Sequence, residues 1–147
     1  MDASPTFSAT GRFSQIFDGL HELVWNWFRG DRASWPLMML ICHYVRRTQR
    51  RVRALVARIE AGTLRPPRPR TAPRAGPSTE AKQRSHNPFP RLYGWLCVLM
   101  PYRAAAFGYQ LNLLLDDPAV RPMIEAEPGR FGRLLRPLCR MVGADPI

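Results

Sequence analysis

Several features that small proteins often rely on are scarce in this 147-residue chain. It has only three cysteines, Cys42, Cys97 and Cys139, each in an apolar helical context, which argues against a disulfide framework or a zinc site. No apolar run approaches the roughly 18–20 residues that span a bilayer. The first residues also lack the basic and apolar regions of a secretory signal. These absences predict a cytoplasmic protein, either soluble or held peripherally at the inner membrane.

Residues that carry catalysis are equally sparse. The three histidines, His21, His43 and His86, are far apart, and no HExxH, Walker, GxGxxG, GxSxG or CxxC pattern occurs. The adjacent acids Asp116 and Asp117 are better explained as a helix cap than as a metal site, because neighbouring residues on a turn rarely converge on one point. We therefore expect no catalytic residues, no metal, no cofactor and no small-molecule substrate.

Lysine is nearly absent, and Lys82 is the only one among 22 basic residues, yet the net charge is +11. Residues 35–64 contribute +5 and residues 65–91 contribute +6, so the excess lies in the middle of the chain. Such a concentration favours anionic partners, namely nucleic acid, anionic lipid or an acidic protein. An arginine bias can also come from a GC-rich coding sequence, which weakens this argument.

Helical periodicity dominates both ends of the chain, and the fold class predicted is all-α. Residues 12–29 repeat apolar side chains at i, i+3, i+4 and i+7, with Thr10 as a possible cap and Gly30 as a possible end. A second helix is expected from Ser34 to Ala61, with Gly62 just beyond its end. Together they predict an N-terminal amphipathic helical hairpin over residues 1–64.

The remainder divides into a linker and a second helical unit. Residues 65–91 hold seven prolines and six arginines, and proline removes amide donors, so we predict a disordered Pro/Arg-rich linker over residues 65–90. Residues 91–147 regain apolar character and predict a module of short helices. In that module Asp117 and Glu127 are candidate caps, followed by Pro118 and Pro128, and Pro137 is expected to bend the last helix.

The stretch YVRRTQRRVRALVARIEAG, residues 44–62, separates its arginines from its apolar side chains on a helical wheel. Three interpretations remain open: a solvated face of a core helix, a face for nucleic acid or another polyanion, and a face for anionic membrane. The absence of acids on the arginine side favours a partner, because an ordinary solvated face mixes charges. The candidate anion-binding residues are Arg46, Arg47, Arg50, Arg51, Arg53, Arg58, Arg65, Arg68, Arg70 and Arg74.

The C-terminal block reads GWL, then Pro101, AA at 105–106, Gly108, QL at 110–111, LL at 114–115 and DP at 117–118, and ends in LRPLCRM at 135–141 with Gly143. This block resembles the end of a set of short bacterial proteins encoded by GC-rich genes. The resemblance covers about 55 residues. It implies that residues 91–143 form a module in their own right, and it implies no activity.

These observations lead to three hypotheses of function. The first is a non-enzymatic accessory or adaptor protein that makes helix-mediated contacts with a protein partner. The second is non-specific nucleic-acid binding through the arginine helix and the linker, and the third is peripheral attachment to anionic membrane. The candidate protein-contact residues are Trp25, Trp27, Phe28, Trp95, Leu135 and Leu138.

Overall fold

In a computed structural model of the chain, residues 8–66 and 89–145 are described, and all regular structure within them is helical. The all-α prediction is confirmed, and the predicted N-terminal hairpin is present as the first two helices. Most of the predicted linker, residues 67–88, lies outside the described residues. The helices are α1 (Ala9–Phe28), α2 (Trp35–Glu60), α3 (Trp95–Leu99), α4 (Arg103–Leu115), α5 (Arg121–Ala126) and α6 (Pro128–Val142).

The first helix begins earlier than its periodicity indicated. Ser8, not Thr10, is the N-cap, and its hydroxyl accepts a hydrogen bond from the Gly11 amide at 3.3 Å. At the other end Arg29 is the C-cap, and Gly30 does not adopt the positive φ of a left-handed cap. Both differences arise because the capping residue is chosen by local backbone hydrogen bonds, which apolar spacing does not report.

The second helix follows the sequence prediction closely. It begins after Ser34 with Pro36 in its first turn, where a missing amide hydrogen is tolerated. Its last helical residue is Glu60, and Gly62, just beyond the Ala61 C-cap, has a φ of +63°. The Gly62 amide donates to the Ile59 carbonyl and the Thr63 amide to the Arg58 carbonyl. This is the Schellman arrangement, and it turns the chain sharply back beside α2.

Helices from both sides of the linker contribute to one hydrophobic core, an arrangement that the sequence left open. Phe13 on α1 is fully buried and stacks on Phe131 of α6, with ring centroids 6.5 Å apart. Tyr44 on α2 meets Phe89, which in turn stacks on Trp95 of α3. The described helices of residues 1–64 and 91–147 pack together in this structure. The division of the chain into two separate units stays a prediction.

A polar cluster around the buried Gln49 joins α1 to α2 at the edge of this core. Gln49 is buried, and its amide donates to the Ser14 carbonyl at 3.4 Å and to the Asp18 carboxylate at 3.0 Å. Arg46 donates to the same carboxylate at 2.7 Å. Buried polar groups of this kind are stable only when their hydrogen bonds are made, so the cluster sets the register of the hairpin.

The end of α6 is held by α3 and α4. The Gly94 amide donates to the Arg140 carbonyl at 2.7 Å, and the Tyr93 hydroxyl donates to the Ala144 carbonyl at 2.7 Å. On the α4 side, a Cβ at Gly108 would lie only 2.4 Å from the Val142 carbonyl oxygen. Gly108 is therefore required for the backbones of α4 and α6 to approach this closely.

The prediction for Asp117 needs a correction. Its side chain does accept a hydrogen bond from the Ala119 amide at 2.8 Å, but it begins a turn and not a helix, because α5 starts only at Arg121. Pro122 stands in the first turn of α5, where proline is accommodated. The same carboxylate forms an ion pair with Arg12 of α1, which joins the two halves of the chain.

Candidate functional site, an arginine-lined groove

An open groove of about 730 Å³ lies between α2 and α6. It lies beside the C-terminal half of α2, the chain that follows it, and the first turns of α6. Two aliphatic side chains, Leu55 and Leu134, form part of its wall. Five arginines complete the lining, namely Arg51, Arg58, Arg65, Arg130 and Arg133.

Three local features of the sequence bring these arginines together. Arg51, Ala54 and Arg58 share one face of α2, because they are spaced by three and four residues. The turn at Gly62 then reverses the chain, so that Arg65 comes back beside the helix. The small side chain at position 54 leaves open space between the two arginines of α2.

The third contribution comes from α6, which runs antiparallel to α2. Residues near Arg58 face the start of α6 across the groove, whereas Tyr44, four turns earlier on α2, faces residues near Pro137. This direction places Arg130 and Arg133 opposite the arginines of α2. The groove therefore exists only after the two helices have packed.

The charge in the groove is not balanced by its lining. Glu127 pairs with Arg130 at 3.4 Å, and Arg130 also donates to the Arg65 carbonyl at 2.6 Å. No carboxylate of the described residues forms an ion pair with Arg51 or Arg58. Because guanidinium groups stay protonated at any ordinary pH, their mutual repulsion is permanent, and a bound anion would relieve it.

The structure separates the predicted anion-binding arginines into several groups. Arg46 is already engaged with Asp18, so it is not a free cation. Arg47, Arg50 and Arg53 are exposed on α2 but lie outside the lining of the groove. Arg51, Arg58 and Arg65 line the groove. The remaining three candidates, Arg68, Arg70 and Arg74, lie outside the described residues.

Sequence reasoning missed two members of the site, Arg130 and Arg133. The sequence places both only away from the apolar face of their helix. The available signal was weak, because a polar face opposite an apolar stripe is what any surface helix has. Their place in the groove depends on contacts between distant segments, such as the Arg130–Arg65 hydrogen bond, whose residues are 65 positions apart in sequence.

The predicted protein-contact residues divide by burial. Phe28, Trp95, Leu135 and Leu138 are all buried in the core, so they pack within the chain itself. Trp25 and Trp27 are 40% and 46% exposed, and Trp25 packs edge-on against Trp35 across the hairpin turn. Only these two tryptophans of the predicted set are therefore accessible to a partner in this structure.

Groups that could hold a metal are dispersed. Across residues 8–66 and 89–145, no cluster of three or more histidine, cysteine or acidic side chains is placed to bind an ion. Cys42 and Cys139 are buried as free thiols and Cys97 is partly buried. The Cys97 thiol donates to the Val142 carbonyl at 3.2 Å, which is a structural contact at the end of α6.

Burial predicts that Cys139 reacts slowly. Desolvation raises the pKa of its thiol from 9.0 to about 11, and the thiolate is the reactive form. A thiol pKa of about 11 in place of 9.0 lowers the thiolate fraction at pH 7.5 on the order of 100-fold. Alkylation with iodoacetamide, followed by peptide mass spectrometry, should label Cys139 at least this much more slowly in the native protein than in denaturant. Labelling of Cys139 as fast as that of Cys97 in the native protein would contradict the expected burial.

None of the described helices combines the length and the hydropathy needed to cross a membrane. Comparison of the whole chain with family models, curated proteins and solved structures found no match.

Proposed function

We propose that this protein is a non-enzymatic polyanion-binding protein whose groove between α2 and α6 holds the phosphates of nucleic acid. The observation that carries the proposal is the convergence of five arginines from three chain segments on one open groove. If the arginines only kept one face of a core helix solvated, they would not need to converge with arginines from other segments. Guanidinium groups match phosphate oxygens with two parallel hydrogen bonds, which makes arginine the preferred residue for this contact.

The binding expected at this groove is not specific for base sequence. Its described lining consists of arginines, two leucines, Ala54 and Thr63, and it has no asparagine or glutamine to pair with adenine edges and no aromatic side chain to stack on bases. Phosphate contacts position a nucleic acid without reading its sequence. The exposed Arg47, Arg50 and Arg53 extend the positive surface along α2 and would prolong the path of the bound strand.

The hypothesis of an adaptor that contacts a protein partner has less support. Four of the six side chains predicted for that contact are buried in the core. The adaptor hypothesis stays a prediction, and Trp25 and Trp27 near the hairpin turn are the two side chains of that set left to make the contact. A location in the cytoplasm also stays a prediction, and it accords with a protein that meets nucleic acid directly.

Removing two groove charges should weaken nucleic-acid binding by about 10–100-fold at moderate salt, because each arginine–phosphate contact is charge-assisted. We would measure binding of a fluorescent 20-nucleotide DNA or RNA by anisotropy, comparing the unmodified chain with the double variant Arg51→Gln/Arg133→Gln. The logarithm of the binding constant should fall with the logarithm of salt concentration, and the slope should be shallower by about 2 in the variant.

The matched control is a second double variant. It removes the same number of positive charges, but at positions far from the groove. Arg29→Gln/Arg32→Gln removes two exposed arginines that lie beyond the opposite end of α2. This control should bind nearly as well as the unmodified chain. Equal weakening of both double variants would contradict the groove and would indicate binding by overall charge. Absence of any salt-dependent binding would overturn the proposal itself.

A further inference from the structure

A second surface lies at the N-terminal end of α2, far from the groove. In contrast to the polar groove, this surface is rich in apolar side chains. Six large side chains there are between 40% and 90% exposed to solvent. Large apolar side chains this accessible, when they occur together, mark a surface that meets another apolar phase. We call this surface the aromatic end, and it consists of Trp25, Trp27, Trp35, Met39, Leu99 and Tyr102.

The topology places these residues at one end of the bundle. Trp25, Trp27, Trp35 and Met39 flank the turn between α1 and α2. The helix α4 runs antiparallel to α1, since Phe107 packs on Gly19 while Asp117 pairs with Arg12. The start of α4 therefore lies toward the hairpin turn and the end of α4 away from it. Tyr102 directly precedes α4, and Leu99 is the last residue of α3 before it.

Tyr102 has an unusual backbone for an exposed aromatic residue. Its φ is +63° and its ψ is −49°, and the Arg103 amide donates to the Pro101 carbonyl at 2.7 Å. These values describe the rare γ-turn with a positive central φ, a strained conformation. The turn leaves the phenol side chain 90% exposed. Strain of this kind is retained where the surrounding structure or a function requires it.

The charge at this end is positive. Among residues 25–39 and 98–103 the charged side chains are Arg29, Arg32, Arg103 and a single acid, Asp31. The carboxylate of Asp31 is occupied, because it accepts hydrogen bonds from the Ala33 amide and the Ser34 hydroxyl. Both donors are neutral, so Asp31 keeps its negative charge, and the three arginines and this one acid give these residues a net charge of +2.

We infer that the aromatic end inserts into the headgroup region of an anionic lipid bilayer. Tryptophan and tyrosine favour that region, because one part of each ring system is apolar and the other can hydrogen-bond to water. Arginines beside them attract anionic headgroups. Helix ends and turns form this surface, and they project outward. Such a shape suits shallow insertion into a bilayer better than it suits the docking of a partner helix, which needs a groove.

The membrane surface and the groove are separate sites. Trp35 and Arg58 are 23 residues apart on one helix, about 34 Å at 1.5 Å per residue. A bilayer at one end would leave the other end accessible. The protein would then hold a polyanion at a membrane surface, although the membrane inference does not depend on the groove having a ligand.

Intrinsic fluorescence provides the test, because three of the four tryptophans lie at the aromatic end and the fourth, Trp95, is buried. The full chain would be mixed with vesicles of phosphatidylcholine and phosphatidylglycerol in a 7:3 ratio, with pure phosphatidylcholine as comparison. We expect a blue shift of emission and flotation with the anionic vesicles. Brominated lipid should quench most of the emission, which only insertion of the rings can produce.

Two variants distinguish insertion from simple attraction of charges. Trp27→Ser/Tyr102→Ser should lower partitioning by about 10-fold or more with little change in folding, since both side chains are exposed. The groove variant Arg51→Gln/Arg133→Gln should retain the blue shift and the quenching. The reverse pattern, with lipid binding lost in the groove variant alone, would overturn the inference. A blue shift that occurs without vesicles, together with dimers in analytical ultracentrifugation, would also overturn the inference. So would the absence of binding to either kind of vesicle.

Discussion

Replacing Phe13 with alanine is expected to lower the free energy of unfolding by about 3–5 kcal/mol, the usual cost of removing a fully buried phenylalanine. This is a large fraction of the stability of a chain of this size. The ring is at 0% exposure and stacks on Phe131 with an angle of 19° between the planes. Thermal or urea unfolding followed by circular dichroism would measure the loss.

The Phe13 variant also tests whether the two halves form one core. If they do, a single transition should shift by roughly 10 °C, since 1 kcal/mol moves the midpoint of a chain of this size by about 2–4 °C. A double-mutant cycle with Phe131→Ala should give a coupling of about 0.5–1.5 kcal/mol. Tyr109→Ala is the aromatic control, because Tyr109 is 66% exposed. Two transitions, of which Phe13→Ala shifts only one, would show that the halves unfold independently.

Replacing Gly108 with alanine is expected to destabilise the protein by about 3 kcal/mol, at the upper end of the range for overpacking. The new Cβ would lie 2.4 Å from the Val142 carbonyl oxygen and 3.4 Å from its carbonyl carbon. These are backbone atoms, so no side-chain rotation relieves the clash and α4 must move away from α6. The gain in helix propensity from glycine to alanine, about 1 kcal/mol, is too small to offset this.

Two other glycines provide graded controls for this prediction. A Cβ at Gly129 would meet nothing within 4 Å, so Gly129→Ala should be neutral or stabilising by up to about 1 kcal/mol. A Cβ at Gly132 would meet the Arg136 side chain at 3.3 Å, and a long side chain can adjust, so a small effect is expected. Equal losses for Gly108→Ala and Gly129→Ala, measured by urea unfolding, would contradict the close backbone approach.

The close approach at Gly108 helps to explain the glycines of the C-terminal sequence block. Gly94 and Gly143 both have positive φ, and their backbones meet where α3 begins and α6 ends. Gly108 allows α4 to contact the same point. The spaced glycines of the block are therefore explained by packing, and they need no ligand to account for them.

Local signals in the sequence were sufficient for much of the fold. The apolar spacing predicted both long N-terminal helices, and Ser34 with Gly62 located the limits of α2. Glu127 and Pro128 located the start of α6. Ser34 and Glu127 make no side-chain capping hydrogen bond, so these predictions succeeded because proline and glycine act through the backbone of their immediate neighbours. The same reasoning placed Asp117 wrongly at a helix start, because an aspartate caps a turn and a helix with the same kind of hydrogen bond.

What the sequence alone determined is the helical class, the two-sided character of α2 and the location of its positive charge. Each follows from residues within a few turns of one another. The surroundings of those residues were decided only by tertiary packing. Arg46 pairs with Asp18, while Arg51 and Arg58 line one groove together with Arg130 and Arg133. Packing likewise buried Trp95 and left Trp27 exposed. A helical wheel specifies which side chains share a face, but the contacts of that face depend on segments distant in sequence, and loop closure and core packing bring those together.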